Sequence, residues 1–258
     1  MDAVTHHGRE TAYRYDDRGG DGRGLCLVHG SGATHALWKA QTRLARDRPV
    51  ASLDLSGHGA SSDVDAAPGY ATLEAYTSDV LAVQRATETD VLVGNSLGGA
   101  VIMHAVLERG ADPDALVLTG TGARLGVLED LRTWLAEDFD RAVEFLHAPD
   151  RLFHDPPEEL RASSIETMRA CGRAVTARDF ETCHRFDVRE RLDAIDVPTL
   201  VIGGEHDQLT PPWYHEYLAA EIPSAALRVI PDAAHLAMLE RPDAFNRAVT
   251  AFLATELD

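Results

Sequence analysis

The chain predicts an α/β fold, a mostly parallel central sheet with helices on both faces, interrupted late by a helical insertion. Three observations carry this expectation. Short apolar runs of strand length alternate with longer stretches of helical periodicity as far as residue 118, and again from residue 197. The runs Leu25-Cys26-Leu27-Val28, Val91-Leu92-Val93 and Ala115-Leu116-Val117-Leu118 are apolar at every position, as strands covered on both faces are. Between about Leu125 and Ile195 the alternation stops, leaving only helical periodicity broken at Pro149 and at Pro156-Pro157.

In chain order, a first strand is expected at Thr11 to Tyr15, followed by a polar, glycine-rich turn at Asp16 to Gly24 and the apolar strand Leu25 to Val28. A helix is expected around Trp38 to Arg46, then a short apolar run at Pro49 to Asp54 and a helix from Leu73 to Thr87. The strand Asp90 to Val93 leads into a helix from Leu97 that ends at Gly110, and Asp114 to Leu118 is the next buried strand. After the insertion come a strand at Val197 to Ile202, a helix at Trp213 to Glu221, a strand at Leu227 to Ile230 and a closing helix from Pro242 to Leu253. This divides the chain into a first core segment (1–123), a helical cap (124–195) and a second core segment (196–258).

Composition narrows the classes of function. The chain has 258 residues, and its 42 acidic against 24 basic side chains give a formal net charge of −18. Nucleic acid and anionic membrane surfaces both need clustered positive charge, so they are poor partners. Lys39 is the only lysine, so arginine carries almost all the positive charge. An acidic surplus of this size resembles proteins adapted to high salt, where screening offsets self-repulsion, and a halophilic source is expected. Cys26, Cys171 and Cys183 are odd in number and show no C-x-x-C spacing, so neither a disulfide framework nor a zinc site is indicated. No apolar run is long enough to span a bilayer, and Met1 to His7 lacks the pattern of an export signal, which leads to a cytoplasmic expectation.

The chemistry concentrates at Gly94-Asn95-Ser96-Leu97-Gly98-Gly99, between an apolar strand and an apolar helix. Glycines at 94 and 98 permit a turn sharp enough to project the hydroxyl of Ser96 outward as a nucleophile. G-x-S-x-G alone is weakly specific, but candidates for the rest of the machinery follow in order. Asp207 ends Gly203-Gly204-Glu205-His206-Asp207, and His235 ends Pro231-Asp232-Ala233-Ala234-His235. A serine hydroxyl needs a base within hydrogen-bond reach, and the base needs an orienting carboxylate. Upstream, a strand runs into His29-Gly30-Ser31-Gly32, a loop whose backbone N–H groups could face an oxyanion.

Together with Asp54-Leu55-Ser56-Gly57-His58-Gly59-Ala60-Ser61 and His235-Leu236-Ala237-Met238-Leu239-Glu240-Arg241-Pro242, these segments resemble the α/β-hydrolase superfamily along nearly the whole chain. The resemblance implies that fold and a triad of Ser96, Asp207 and His235, with Asp207 preferred over Glu205 as the acid. It also implies an oxyanion hole made by the backbone N–H groups of Ser31 and Leu97. His58 and Asp54 are implied to be structural and loop-ordering, and His29 to brace the oxyanion loop. No cofactor and no metal are expected.

The expected activity is that of a serine hydrolase acting on a carboxylic ester or lactone, a small-molecule partner. Serine at the elbow argues against epoxide hydrolase and haloalkane dehalogenase chemistry, which need a carboxylate nucleophile. The elbow also resembles that of carbon–carbon bond hydrolases of the meta-cleavage-product type. Two departures weigh against that alternative: Leu236 follows the base where an aromatic residue is usual, and no cap arginine can be assigned. An enol-lactonase activity and a non-catalytic ligand receptor on the same fold stay open. Trp38, Trp134 and Phe139 are the expected substrate-binding aromatics, while Arg169, Arg173 and Arg178 are expected to be solvated.

Overall fold

The computed structural model describes Met1 to Leu257; Asp258, the last residue of the expected second core segment, lies outside the described residues. Eight strands form one sheet: β1 (Asp2–His6), β2 (Arg9–Asp16), β3 (Leu25–Val28), β4 (Val50–Leu53), β5 (Val91–Asn95), β6 (Ala115–Thr119), β7 (Thr199–Gly204) and β8 (Ala225–Ile230), in the order β1-β2-β4-β3-β5-β6-β7-β8. Only the pairings of β2, with β1 and with β4, are antiparallel; from β4 to β8 the sheet is parallel.

Strands β3 to β7 are buried at every position and so are largely apolar, because each is covered on both faces, whereas the edge strand β8 is partly exposed and carries Arg228. Along β3, Leu25 and Leu27 enter one core, whereas Cys26 and Val28 enter the other, as the two-residue period of a strand requires. The first core holds Trp38 and, from the last helix, Phe245; the second holds Tyr76 and Met103. Each fully buried Leu, Ile or Val in these layers contributes on the order of 1.5–3 kcal/mol.

Helix α1 (Tyr70–Thr87) precedes β5, and α2 (Leu97–Arg109) follows it, stopping where Gly110 takes the left-handed conformation (φ 59°). Four α-helices, a 3-10 turn at Arg189–Ala194 and no sheet strand lie between β6 and β7: α3 (Glu129–Glu137), α4 (Phe139–Leu146), α5 (Glu158–Cys171) and α6 (Arg173–Arg185). Their apolar faces, including Leu131, Leu135, Val143 and Met168, continue the first core. Helices α7 (Pro212–Glu221), α8 (Ala237–Glu240) and α9 (Pro242–Glu256) complete the fold.

Two elements differ from the expectation. Strand β1 exists although its residues alternate poorly; as an edge strand it exposes most of its side chains, so burial imposes no apolar pattern on it. The helix expected at Trp38 to Arg46 is instead two 3-10 turns, His35–Trp38 and Gln41–Arg46, interrupted at Lys39 and Ala40. Among the described residues, no helix is long and apolar enough to cross a membrane.

Candidate active site

Ser96 is the single residue between the end of β5 and the start of α2, and the chain reverses there through φ 55°, ψ −117°. That region is sparsely populated for a residue with a side chain and costs on the order of 1–3 kcal/mol. Its surroundings fix it: Ser96 N–H donates to Thr119 O at 3.0 Å, while Ser96 O accepts from Gly99 N–H at 2.9 Å and from Thr121 Oγ1 at 2.9 Å. Both flanking glycines are sterically required. A Cβ at Gly94 would lie 2.5 Å from the Gly98 carbonyl, and one at Gly98 would lie 2.4 Å from Val28 O.

Asp207 and His235 come from the loops after β7 and β8, and both are buried. His235 Nδ1 donates to Asp207 Oδ2 across 2.9 Å. The same oxygen accepts from Thr210 Oγ1 at 2.7 Å, and Oδ1 accepts the N–H groups of Leu209 (2.8 Å) and Thr210 (2.9 Å). Burial by itself pushes the carboxyl pKa up, but the adjacent imidazole and the bonds from Thr210 outweigh it and hold Asp207 below the usual carboxylate range. With Nδ1 engaged, Nε2 is the ring nitrogen of His235 without a partner among the described residues. Behind them, burial pushes His215 down to about 4, so this second histidine near Thr210 is neutral at pH 7.

The N–H groups of Ser31 and Leu97 have no acceptor among the described residues. Leu97 N–H is the first of the unpaired donors at the α2 N-terminus. His29 braces the Ser31 loop, as expected: Nδ1 donates to Gly30 O at 2.8 Å and Nε2 accepts Leu55 N–H at 3.1 Å. Burial lowers the His29 pKa to about 4, which keeps it neutral and suited to both bonds. Asp54 orders the next loop by accepting the N–H groups of His35 (2.7 Å) and Ala60 (3.0 Å). His58 pairs with Asp179 of α6 at 2.9 Å, away from Ser96.

Gly30, Ser31, Asn95, Ser96 and His235 open on one cavity of about 370 Å³. Leu97 does not line it with its side chain, which is buried in the second core. The opposite wall comes from the helical segment, through Leu125, Val127, Leu131, Phe145, Leu160 and Phe180. The three expected substrate-binding aromatics do not line it. Trp38 is fully buried against Phe245 (centroids 6.2 Å apart), and Trp134 packs on Phe145 at 5.3 Å beneath Arg141. Phe139 packs against the first core instead. In each case an apolar neighbour takes the ring, and a sequence does not reveal which neighbour wins.

Of the arginines expected to be solvated, Arg169 and Arg173 are exposed, Arg169 in a surface pair with Asp140. Arg178 differs: it is half-buried, donating to Val64 O, Asp63 and Tyr76 Oη. Lys39, Arg151, Thr210 and Glu240 all escaped the sequence reading. Of these, Lys39 carried a signal as the single lysine, and Glu240 lay inside the His235 to Pro242 motif without an assigned role. Among the described residues, Asp150, His154 and His206 bring three ligating atoms within 4.8 Å of one another, as do Glu205, His206 and Asp232; none of these residues lines the cavity.

A strained serine between strand and helix, with a buried Asp–His pair across one cavity, is the layout of the hydrolases built on this sheet. The sequence profile described as the alpha/beta hydrolase family matches residues 27–248, and the chain belongs to that family. It is 31% identical over 240 residues to the pimeloyl-[acyl-carrier protein] methyl ester esterase of Neisseria meningitidis serogroup C, covering 85% of this chain and 89% of that protein. Among solved structures, a thermophilic esterase is 31% identical with TM-score 0.85, covering 99% of this chain and 97% of the other. The enol-lactonase of Burkholderia xenovorans is 25% identical with TM-score 0.83, covering 98% of this chain and 100% of the other.

Proposed function

We propose that the chain is a serine hydrolase that cleaves a carboxylic ester or lactone of a small to medium substrate through an acyl-enzyme, with residues 124–195 acting as a cap over the site. The observation that carries this reading is the buried His235–Asp207 pair at 2.9 Å opening on the same cavity as the strained Ser96. The esterase and lactonase relatives support the same class of bond.

In this reading His235 Nε2 takes the Ser96 proton as Oγ attacks the carbonyl carbon. The charge that develops on the carbonyl oxygen is met by the N–H groups of Ser31 and Leu97, each worth about 3 kcal/mol of barrier. His235 then returns the proton to the leaving alcohol oxygen, and the C–O bond breaks to leave an ester on Ser96. Water repeats the cycle: it gives a proton to His235 and attacks the acyl carbon, the acyl carbon–Oγ bond breaks as His235 returns that proton to Ser96 Oγ, and the acid is released. Asp207 keeps the Nδ1–H tautomer and stabilises the imidazolium, which its own network prepares it to do.

The test is hydrolysis of 4-nitrophenyl esters from acetate to octanoate by the intact protein and by Ser96→Ala, with folding of both checked by circular dichroism. The wild type is expected to turn over many times per chain, and Ser96→Ala to lose roughly 10³–10⁶-fold in kcat. Turnover undiminished in Ser96→Ala would overturn the serine mechanism, and a single stoichiometric release would favour a receptor.

A further inference from the structure

We propose that the cavity takes an ester bearing a second, anionic carboxylate, held by Arg151 with Lys39 as a supporting cation. This deepens the proposed function and rests on it for the position of the reacting carbonyl. It starts from a contrast between the whole chain and the cavity. The chain carries 42 acidic side chains, yet no aspartate or glutamate lines the cavity; its only charged lining residues are Lys39 and Arg151. In a protein of net charge −18, a wall with cations alone is the reverse of what composition would distribute.

Neither cation is spoken for. Several other arginines are paired with carboxylates, as Arg9 is with Asp79, Arg132 with Glu181 and Arg191 with Glu108. Among the described residues no carboxylate oxygen lies within 4.0 Å of Arg151 or Lys39. Arg151 is nevertheless fixed. Its Nη1 donates to Phe145 O at 2.7 Å, its Cζ sits 3.5 Å over the Phe145 ring, and its carbonyl accepts His235 N–H at 3.2 Å. The remaining guanidinium N–H groups have no acceptor among the described residues.

A half-buried guanidinium held by stacking and one bond, with its other donors unpaired, is a pre-organised fork for a carboxylate. Arg151 lines the same cavity as Ser96 and His235, and its backbone carbonyl accepts His235 N–H, so one ligand can place a carboxylate on Arg151 and its ester carbonyl at Ser96. Lys39 is exposed and is reached from the same cavity, where a flexible point charge can add attraction without fixing geometry. The net charge of the chain does not cancel these contacts. At 0.1 M salt, screening confines charge effects to about 10 Å, so local cations outweigh distant carboxylates.

The deciding comparison uses monoethyl glutarate and ethyl pentanoate, which differ chiefly by a carboxylate at the end of the acyl chain, with ethanol release as the readout at about 0.1 M salt. For the wild type, the ratio of kcat/KM for the anionic over the neutral ester is expected to exceed about 10. Arg151→Gln is expected to lower that ratio roughly tenfold, mainly through KM of the anionic ester. Arg151→Lys should recover part of the ratio, and Lys39→Gln should lower it about two- to fivefold. A merely structural Arg151 would depress both esters together and leave the ratio alone, which would overturn the proposal, as would a wild type that prefers the neutral ester.

A second measurement does not depend on turnover. Glutarate itself should raise the melting temperature of the wild type, and Arg151→Gln should abolish that shift. If neither ester is hydrolysed but the glutarate shift appears and needs Arg151, the hydrolase reading fails and the anion site stands. If both esters are hydrolysed with no preference and no shift, the anion site fails and the hydrolase reading stands.

Discussion

His58 and Asp179 form an ion pair that is buried on both sides, and its chemistry is separate from that of Ser96. Tyr76 Oη donates to Asp179 Oδ1 at 2.7 Å and Gly32 N–H donates to Oδ2 at 3.3 Å, so one carboxylate from α6 holds both the imidazole and the loop beside Ser31. Burial alone would lower the His58 pKa, but the charge of Asp179 and its hydrogen bond outweigh this and raise it well above the ordinary value. The other groups near it are the neutral His29 ring at 4.8 Å, the Tyr76 ring, the Cys171 thiol and the Asp63 carboxylate, which is itself paired with Arg178. Unfolded histidine titrates near ~6.5, so the pair's contribution is complete below that pH and is lost as pH rises through the elevated folded value. Asp179→Asn is therefore expected to be less stable by about 3 kcal/mol at pH 6. Denaturant unfolding from pH 6 to 9 should show a decline for the wild type that the variant lacks; equal slopes would refute the assignment. Residues of this kind were only half legible in the sequence. Ser96, Asp207 and His235 stand out because a sharp turn and loop ends need specific residue types locally, and His58 stands out by its glycines. Asp179 does not, because its partners come from segments more than a hundred residues away.

At the scale of elements, the loop bearing His235 is tied to the helical segment by Glu240 of α8. Its Oε1 accepts the N–H groups of His154 (2.9 Å) and Asp155 (3.1 Å), and its Oε2 accepts Ala234 N–H at 2.8 Å. The backbone joins in, since Leu236 N–H donates to Leu152 O at 3.0 Å and Gln208 N–H to Asp150 O at 2.8 Å. A turn of the insertion is thereby fastened to both loops that supply the candidate acid and base. Bonds from a backbone donor to a buried carboxylate contribute roughly 1.5–3 kcal/mol, and a Gln in this place would oppose an N–H with an N–H. Glu240→Gln is expected to lower unfolding stability by about 2 kcal/mol and kcat for a neutral ester about tenfold, with a smaller change in KM. Urea unfolding and steady-state kinetics check both, and an unaltered kcat would mean that the strap does not position His235. Glu240 lies inside a motif that the sequence reading picked out, yet its role was invisible because its acceptor geometry depends on the turn at His154. The strands β3 to β7 were legible, since burial on both faces writes a continuous apolar run. Strand β1 was not, and the 3-10 turns after residue 34 were read as one helix because a short apolar repeat fits both periods.

At the scale of the molecule, the charge excess and the ion pairs respond to salt in opposite directions. Surface pairs such as Arg43–Asp243 and Arg169–Asp140 are exposed on both sides, contribute about 0–1 kcal/mol each, and weaken as salt rises. The surplus of 42 acidic over 24 basic side chains acts over the whole surface, and its self-repulsion is relieved by the same ions. Screening shortens from about 10 Å at 0.1 M to about 3 Å at 1 M, which covers the spacing of neighbouring carboxylates on a surface this acidic. With a net charge of −18 the repulsion outweighs the exposed pairs, so the melting temperature is expected to rise between 0.1 and 1 M KCl. A relief of 2–3 kcal/mol corresponds to roughly 5–10 °C in a chain of this size. Salt adaptation makes the stronger prediction that folding and ester hydrolysis fail below molar salt and that stability keeps rising from 1 to 3 M. Simple screening is nearly spent by then, so a continued rise would require ions organised by the acidic surface. Melting curves and initial rates at 0.1, 1 and 3 M KCl separate the cases: a plateau above 1 M leaves an ordinary acidic protein, and equal values at all three salts would remove salt adaptation altogether.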